Sequence, residues 1–292
     1  MTSDRLSLGS FQAYGLRDGF FWLDGGAMFG VVPKVLWKDI YPADADNRIR
    51  LGLNCLLIDT GRKRILVDTG IGPDLNERLK LFYSVEREPG LMGDLRKLGF
   101  SAQDIDFVIN THLHFDHCGG NTHRTTEGRF IPSFPRASYV IQRCEWEAGL
   151  NPSGRDKPSY YPEYFVPLEE HDQVNLVEGD QEILPGVQVL LASGHTACHQ
   201  CVKITSEGKT LVFLGDMVPT SGHIGLPYIM SYDLFPHETM ENKERFYRDA
   251  MEEDWIVAFN HDPEFFFGRI IRCKRKYGFL PLESDPSRRR NP

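Results

Sequence analysis

The chain lacks both a long apolar run and an excess of positive charge. Its 292 residues carry 33 Lys and Arg against 41 Asp and Glu, which gives a net charge of -8. Because nucleic-acid binding depends on Lys and Arg, nucleic acid is not an expected partner. The N-terminal 25 residues hold no apolar signal-peptide core, and no segment approaches the length of a membrane span. We therefore expect a cytoplasmic protein that binds neither nucleic acid nor membrane.

Cysteine is also scarce, with six residues in the whole chain. In a cytoplasmic protein of this size we expect these cysteines to be reduced thiols. Cys198 and Cys201 form a single C-x-x-C pair, whereas a structural zinc site needs two more ligands at suitable spacing. We interpret this pair as sulfur packed near a turn.

Internal repeats and low-complexity linkers are absent too, so one domain over residues 1–292 is the simplest account. The segment 151–172 is rich in Pro, Tyr and charge and predicts a long loop, and such loops often line a site. The tail 284–292 contains the basic run at 288–290 and is expected to be flexible and solvated.

Apolar runs bounded by turn residues predict a series of short strands. They lie at 51–59, 64–69, 107–109, 138–142, 187–192, 200–205, 210–215 and 255–259. The turn 206–209 predicts a hairpin between two of them. Helices are expected at 91–98 and at 239–252, the second with Thr239 as a candidate N-cap.

A cluster of metal-binding residue types follows one of these strands. The segment T-H-L-H-F-D-H (111–117) contains His112, His114, Asp116 and His117. Imidazole and carboxylate together are the ligand set of a hydrolytic metal such as zinc. In extended chain His112 and His114 point to the same side and can share one ion. Asp116 and His117 lie past the strand and can reach a second ion.

Three further candidate ligands each follow a predicted strand, namely His195, Asp216 and His261. Asp216 could bridge two ions, while His195 and His261 would complete one ion each. An open position then remains on each ion for water and substrate, as a catalytic site requires. We interpret the other strand-end and loop histidines as ordinary surface or core residues: His123, His171 and His237.

The run H-x-H-x-D-H, followed by G-H-T at 194–196, G-D at 215–216 and H-D at 261–262, resembles the metallo-β-lactamase-fold hydrolases over residues 50–262. The resemblance implies an α/β (α+β) fold, an αββα sandwich of two mixed sheets flanked by helices, with the site at the edge between the sheets. It implies two divalent ions, Zn²⁺ above all, as the cofactor. The implied ligands are His112, His114 and His195 for the first ion, Asp116, His117 and His261 for the second, and Asp216 as the bridge.

Within that superfamily the chain looks most similar to the YtnP-like quorum-quenching N-acyl-homoserine lactonases. The residues that carry this similarity are the stretch 24–34, the H-F-D-H at 114–117 and Tyr232-Asp233. The Gly-rich stretch 24–34 fits neither a dinucleotide fingerprint nor a P-loop. By resemblance it lies beside the metal site, where Met28 and Phe29 either touch substrate or only pack.

Two positions depart from the lactonase pattern. The better-known lactonases carry a substrate-contacting tyrosine three residues after the bridging aspartate, where this chain has Pro219. The candidates to replace that tyrosine are His223, Tyr228 and Tyr232. The family pattern G-H-x-x-G-H has Cys198 in place of its second glycine, and we expect the following His199 to orient the loop that holds His195.

The resemblance implies that a metal-bridging hydroxide opens the lactone ring of a small-molecule substrate, with Asp116 passing a proton to the leaving oxygen. Cys118 is expected to pack rather than act as a nucleophile. The expected apolar rim for an acyl chain comprises Met28, Phe29, Tyr160, Tyr161, Tyr164 and Phe165. The alternatives are an aryl esterase or organophosphate triesterase on the same metals, a diiron oxidoreductase, and a non-catalytic scaffold. Diiron relatives carry a glutamate where this chain has His114. The oligomeric state is open, with a homodimer as one option.

Overall fold

The computed structural model describes residues 4–274 and 276–282. The described strands are β1 (Asp4–Leu8), β2 (Phe11–Asp24), β3 (Arg48–Asp59), β4 (Arg64–Val67), β5 (Phe107–Ile109), β6 (Thr122–Arg124), β7 (Phe130–Pro132), β8 (Ser138–Gln142), β9 (Val174–Val177), β10 (Gln181–Leu184), β11 (Val187–Leu191), β12 (Gln200–Ser206), β13 (Lys209–Phe213), β14 (Ile256–Ala258), β15 (Phe267–Cys273) and β16 (Lys276–Pro281). The α-helices are α1 (Gly25–Phe29), α2 (Lys34–Trp37), α3 (Glu77–Phe82), α4 (Gly90–Lys97), α5 (Phe115–Cys118), α6 (Arg143–Leu150), α7 (Val166–Glu170) and α8 (Pro236–Glu252). None of the helices in these described ranges is long and apolar enough to cross a membrane.

Two seven-stranded sheets carry the fold, in the orders β1-β2-β3-β4-β5-β8-β9 and β10-β11-β12-β13-β14-β15-β16. Strands β4, β5, β8 and β9 pair in parallel, as do β13 and β14. The remaining neighbours in both sheets are antiparallel, so both sheets are mixed. This confirms the expected mixed sheets.

Strand periodicity places the sheets in a four-layer sandwich. On β4, Ile65 and Val67 point into a core that both sheets share, while Leu66 points to the opposite face, where α4 packs. On β13, Phe213 points into the shared core and Val212 faces α8 on the outside of the second sheet. Because side chains alternate along a strand, each sheet buries both faces between a helix layer and the other sheet. The expected αββα sandwich is confirmed.

The topology also explains why the candidate ligands meet. Parallel neighbours β4 and β5 end at the same edge of the first sheet, and parallel neighbours β13 and β14 end at the same edge of the second. The chain leaves these strands at Asp68, at Asn110, at Leu214 and at Phe259, respectively. Ligands placed just after such strands therefore gather at one edge of the sandwich.

Most of the predicted elements are confirmed, including the hairpin in which Ser206 pairs with Lys209. The N-cap prediction is wrong, because α8 begins at Pro236 and Thr239 lies inside its first turn. Proline suits the first turn of a helix, where its missing N–H has no partner to lose. The tail 284–292 lies outside the described residues.

Short helices occur both in the Gly-rich stretch 24–34 and in the segment 151–172 that was predicted to be a loop. The stretch 24–34 contains α1, whose N-cap Asp24 accepts a hydrogen bond from the Ala27 amide at 2.7 Å. The segment 151–172 contains α7 together with short 3₁₀ turns. Local capping by Asp24 gives α1 its start, which a pattern of glycines alone did not predict.

The expectation of six reduced thiols is wrong for two of them. Cys144 and Cys198 form a disulfide, with their Cα atoms 5.9 Å apart. These residues are 54 positions apart in sequence, so only the packing of α6 against the 195–199 loop brings them within bonding range. Cys201 and Cys118 stay free and buried, and the Cys118 thiol donates to the Leu113 carbonyl at 3.3 Å, so both sulfurs are packed as expected.

Candidate metal centre

The structure brings all seven predicted ligands together at the edge between the sheets. Three overlapping groups each place their ligand atoms within 4.8 Å of one another. The groups are His112, His114 and His195; His112, His117 and Asp216; and Asp116, His117 and His261. The first and third groups hold the residues that the resemblance implied for the two ions, and the second group, which contains Asp216, overlaps both.

The first group combines one loop from each sheet. Nε2 of His195 lies 3.1 Å from Nδ1 of His114 and 3.2 Å from Oδ2 of Asp216. Nε2 of His112 is buried and has no hydrogen-bond partner in the structure. Leaving a buried imidazole nitrogen unpaired costs free energy unless something else binds it.

The second group lies on the other side of Asp216. The Nε2 atoms of His117 and His261 are 3.2 Å apart, and Oδ1 of Asp216 lies 3.5 Å from the former and 3.3 Å from the latter. Oδ2 of Asp116 lies 3.4 Å from the His261 nitrogen. Asp216 therefore directs one carboxylate oxygen to each group, the position of a bridging ligand.

The hydrogen bonds of these rings suit a cation between them. Three of the rings face protein acceptors with Nδ1, so the neutral tautomer that carries its proton there presents Nε2 as a lone pair to the other ligands. The pairs are His195 with Asp233 at 2.9 Å, His117 with Asp68 at 2.9 Å, and His261 with the Gly52 carbonyl at 2.8 Å. Zinc ligands at 2.0–2.1 Å in a tetrahedron stand about 3.3 Å apart, close to the observed separations. The residues present fit two divalent ions.

The pKa shifts of Asp216 and His112 also suit a bound cation. Burial would raise the pKa of Asp216, but His117, His195 and His261 outweigh it and hold the pKa well below its ordinary value. Burial also lowers the pKa of His112, so this ring stays neutral and free to ligate. The Asp116 side chain is 12% exposed and lies towards the mouth of the site.

Neighbouring residues hold the bridging aspartate in place. Nδ2 of Asn260 donates to Oδ1 of Asp216 at 2.5 Å, and the Asp216 amide donates to Nε2 of His199 at 3.0 Å. A Cβ atom on Gly215 would lie 2.3 Å from that His199 nitrogen, so glycine is required there. We expected His199 to orient the loop of His195, but its ring binds the backbone of Asp216 instead.

Several residues that hold the candidate ligands in place were not predicted from the sequence. Asp68 accepts from His117 and from both the amide and the hydroxyl of Thr111, the last two at 2.8 Å. Its position directly after β4 is the same signal that selected the ligands themselves. Pro219, the site of the absent tyrosine, contributes its carbonyl, which accepts from the His261 amide at 2.9 Å.

The predicted substrate-contacting residues form a packed wall. Met28, Phe29 and His223 are fully buried, and the His223 ring stacks on Phe29 at 4.4 Å. Nε2 of His223 donates to the Met28 carbonyl at 2.9 Å, and Nδ1 accepts from the Thr220 hydroxyl at 2.7 Å. Tyr228 is half-buried and meets Phe29 edge-on at 6.1 Å. Their contact with substrate stays a prediction.

The expected aromatic rim is only partly at the surface. Tyr164 and Phe165 are buried in the core, and Tyr160 packs against the His114 ring at 4.9 Å. Tyr161 is half-buried and meets Phe115 edge-on at 5.8 Å.

Two tyrosines that the rim prediction omitted lie near the mouth. Tyr83 stacks on Phe115 at 5.3 Å, and burial together with the charge of Asp116 raises its pKa to about 12. Tyr232 is 40% exposed, and burial, with smaller effects of Tyr83 and of Asp24 and Asp116, raises its pKa to about 12. Both phenols therefore lie within the electrostatic range of Asp116.

Known proteins are similar to this chain in sequence and in fold. Residues 49–261 match the family model of the Metallo-beta-lactamase superfamily. The N-acyl homoserine lactonase of Bacillus cereus is 30% identical over 240 residues, 75% of this chain and 84% of that protein. A probable metal-dependent hydrolase from Staphylococcus aureus superposes with a TM-score of 0.88 at 30% identity, covering 96% of this chain and 99% of the other.

A further solved structure is that of an N-acyl homoserine lactone hydrolase with the product N-hexanoyl-L-homoserine bound at the catalytic metal centre. It matches with a TM-score of 0.67 and 25% identity over 90% of this chain and 95% of that one. The family match runs from β3 to His261 and so spans every ligand described above. The chain belongs to the metallo-β-lactamase superfamily and is a metal-dependent hydrolase.

Proposed function

We propose that this hydrolase opens the lactone ring of N-acyl-homoserine lactones with two Zn²⁺ ions as cofactor. The observation that carries the proposal is the bridging position of Asp216, with one carboxylate oxygen towards each group of histidines. The 30% identity to the lactonase of Bacillus cereus supports the substrate class.

The described residues suit two ions of the same kind. His112, His114 and His195 would hold the first, Asp116, His117 and His261 the second, and Asp216 both. When bound, such a pair of ions lowers the pKa of a water molecule and polarises a carbonyl oxygen. The protein supplies the fixed donor positions and the buried surroundings that strengthen these effects.

We assign the proton transfer to Asp116. Its carboxylate is the ligand that lies towards the mouth, with Oδ2 3.4 Å from His261 and 3.7 Å from His117. Water adds to the lactone carbonyl and gives its proton to Asp116, the ring C–O bond breaks, and Asp116 returns the proton to the departing oxygen. The product is the open hydroxy acid, so atoms and charge balance without an external reactant. Met28, Phe29, His223 and Tyr228 are proposed to shape the adjoining wall of the substrate pocket.

The test is a substrate panel on protein of known metal content: N-acyl-homoserine lactones of several chain lengths, an aryl ester and a phosphotriester. We expect lactone turnover with two zinc ions per chain. Asp216→Ala and His112→Ala should lose both metal and turnover. Asp249→Ala, on the outer helix α8, serves as the control and should keep both.

Other outcomes would identify the rivals. Phosphotriester or aryl ester turnover without lactone turnover would overturn the lactonase assignment and keep the metal centre. Two iron ions with dioxygen reactivity would indicate an oxidoreductase. His114 argues against that outcome, because the diiron relatives have a carboxylate at its position. Unchanged function in Asp216→Ala would indicate a scaffold.

A further inference from the structure

Glu145, on α6, is a buried carboxylate outside the predicted ligand set. It is 1% exposed and accepts three hydrogen bonds. Oε1 accepts from the Leu113 amide at 3.0 Å and from the Tyr160 hydroxyl at 2.8 Å, and Oε2 accepts from the Thr196 hydroxyl at 2.7 Å. Burying a carboxylate costs free energy unless donors satisfy it, so these three hydrogen bonds are what keep Glu145 in this position.

The three donors all belong to the surroundings of the first ion site. Leu113 lies between His112 and His114 in sequence, and Thr196 directly follows His195. Tyr160 packs its ring against that of His114 at 4.9 Å. The Glu145 carboxylate therefore contacts both chain segments that supply the three histidines. It also contacts Tyr160, whose ring packs against His114.

These two segments come from different sheets and are far apart in sequence. His114 follows β5 of the first sheet, and His195 follows β11 of the second, 81 residues later. Their nitrogens nevertheless approach to 3.1 Å. A metal ligand set tolerates errors of only a few tenths of an ångström, so the relative position of the two segments has to be held.

We infer that Glu145 is a positioning residue that holds the 112–114 segment and the 195–196 segment in register for the first ion. The inference rests on the proposed metal ligands. A second link supports it, because Cys144, the neighbour of Glu145, is disulfide-bonded to Cys198 in the same loop as His195. The helix that carries the carboxylate is thus joined covalently to one of the two segments it positions.

The variants separate positioning from general stability. Thr196→Val removes the donor to Oε2 and keeps the volume of the side chain. Glu145→Met removes both acceptor oxygens and so all three hydrogen bonds, whereas Glu145→Gln keeps Oε1 as an acceptor and can donate to Thr196 through its amide. Thr210→Val is the matched control, since Thr210 is a buried threonine at the opposite end of β13 from Asp216 and bonds only Thr205 among the contacts described.

The measurement is the affinity of each ion site, from Zn²⁺ competition with a chromophoric chelator and from Co²⁺ absorption spectra of the metal-free proteins titrated with the metal. His195→Ala and His261→Ala identify which binding step belongs to which site. We expect Thr196→Val and Glu145→Met to weaken the step that His195→Ala abolishes by roughly 10- to 100-fold, and to leave the other step unchanged. Glu145→Gln should lie within a few-fold of wild type, and Thr210→Val should match it.

Equal weakening of both steps, or no change in Thr196→Val and Glu145→Met, would overturn the positioning role while leaving the two-ion centre intact. A wild-type protein that binds fewer than two ions would overturn the proposed centre itself, and the role of Glu145 with it. If Glu145→Met does not fold, Thr196→Val still decides, because it removes one hydrogen bond without opening a cavity.

Discussion

The disulfide between Cys144 and Cys198 gives the most quantitative prediction. It closes a loop of 54 residues that contains the whole segment from α6 to the His195 loop. In the chain-entropy description, closing a loop of that length in the unfolded state stabilises the native protein by about 4 kcal/mol at 25 °C. The double variant Cys144→Ala/Cys198→Ala should lose a free energy of unfolding of this order.

The assay is equilibrium urea unfolding together with thermal melting, at matched zinc content. For a chain of this size, about 4 kcal/mol corresponds to a decrease in Tm of roughly 6–7 °C. Wild-type protein in a strong reductant should approach the double variant, and the double variant should not respond to reductant. Cys201→Ala, which removes a free buried thiol three residues from Cys198, is the control and should keep the full response to reductant.

Two results would refute this reasoning. Mass spectrometry that finds both thiols free in protein purified without reductant would show that the pair does not bond under those conditions. A bonded pair whose removal costs less than about 1 kcal/mol would show that loop closure is not its main effect. Residues 144–198 would then keep residual structure in the unfolded state that already holds α6 near the His195 loop.

Three further predictions follow from buried groups. Lys243 is fully buried and donates to three backbone carbonyls at 2.8–2.9 Å. Lys243→Met leaves these carbonyls unpaired and should lower the free energy of unfolding, measured by urea unfolding, by roughly 3 kcal/mol or more. A loss below about 1 kcal/mol would contradict this. Burial lowers the pKa of His223 to about 3, below the ordinary 6.5, so the unfolded chain takes up the proton first. The free energy of unfolding should therefore fall as the pH is lowered from 6.5 to 3. Over this range wild type should lose up to about 1.4 kcal/mol per pH unit more than His223→Gln, and equal slopes of unfolding free energy against pH in the two proteins would disprove this. Asp68→Asn weakens the acceptor that orients His117 and should reduce metal affinity or turnover roughly 10- to 100-fold in chelator competition and kinetic assays, whereas an unchanged affinity and rate would exclude the role.

Five of the seven candidate ligands could be selected from the sequence because they lie within five residues after an apolar strand, whereas Asp116 and His117 lie on α5. His112 and His114 follow β5, and Asp216 and His261 follow the adjacent strands β13 and β14. Parallel neighbours in one sheet place their carboxyl ends at the same edge, so residues that follow such strands are expected to lie near one another. The same reasoning would have selected Asp68, which follows β4, had its neighbours been weighed.

The residues that line the substrate pocket were not readable in that way. Aromatic residues such as Phe165 and Tyr161 have similar sequence surroundings, yet one is buried in the core and the other lies half-buried near the mouth. Burial of a large side chain depends on how loops pack over the sheets, and no local period encodes it. Met28 and Phe29 are a second example, because no local pattern predicted that both side chains are fully buried.

The sequence by itself indicated the chemistry of this protein: histidines and carboxylates near strand ends, in the order that resembles the metallo-β-lactamase-fold hydrolases. Only the tertiary structure showed that Asp216 faces both groups, that Glu145 joins the segments carrying His114 and His195, and that Cys144 bonds Cys198. The physical reason is distance along the chain. Ligand type and strand periodicity are local properties, whereas these contacts join residues from 21 to 54 positions apart, and only the packing of the two sheets and their helices sets them.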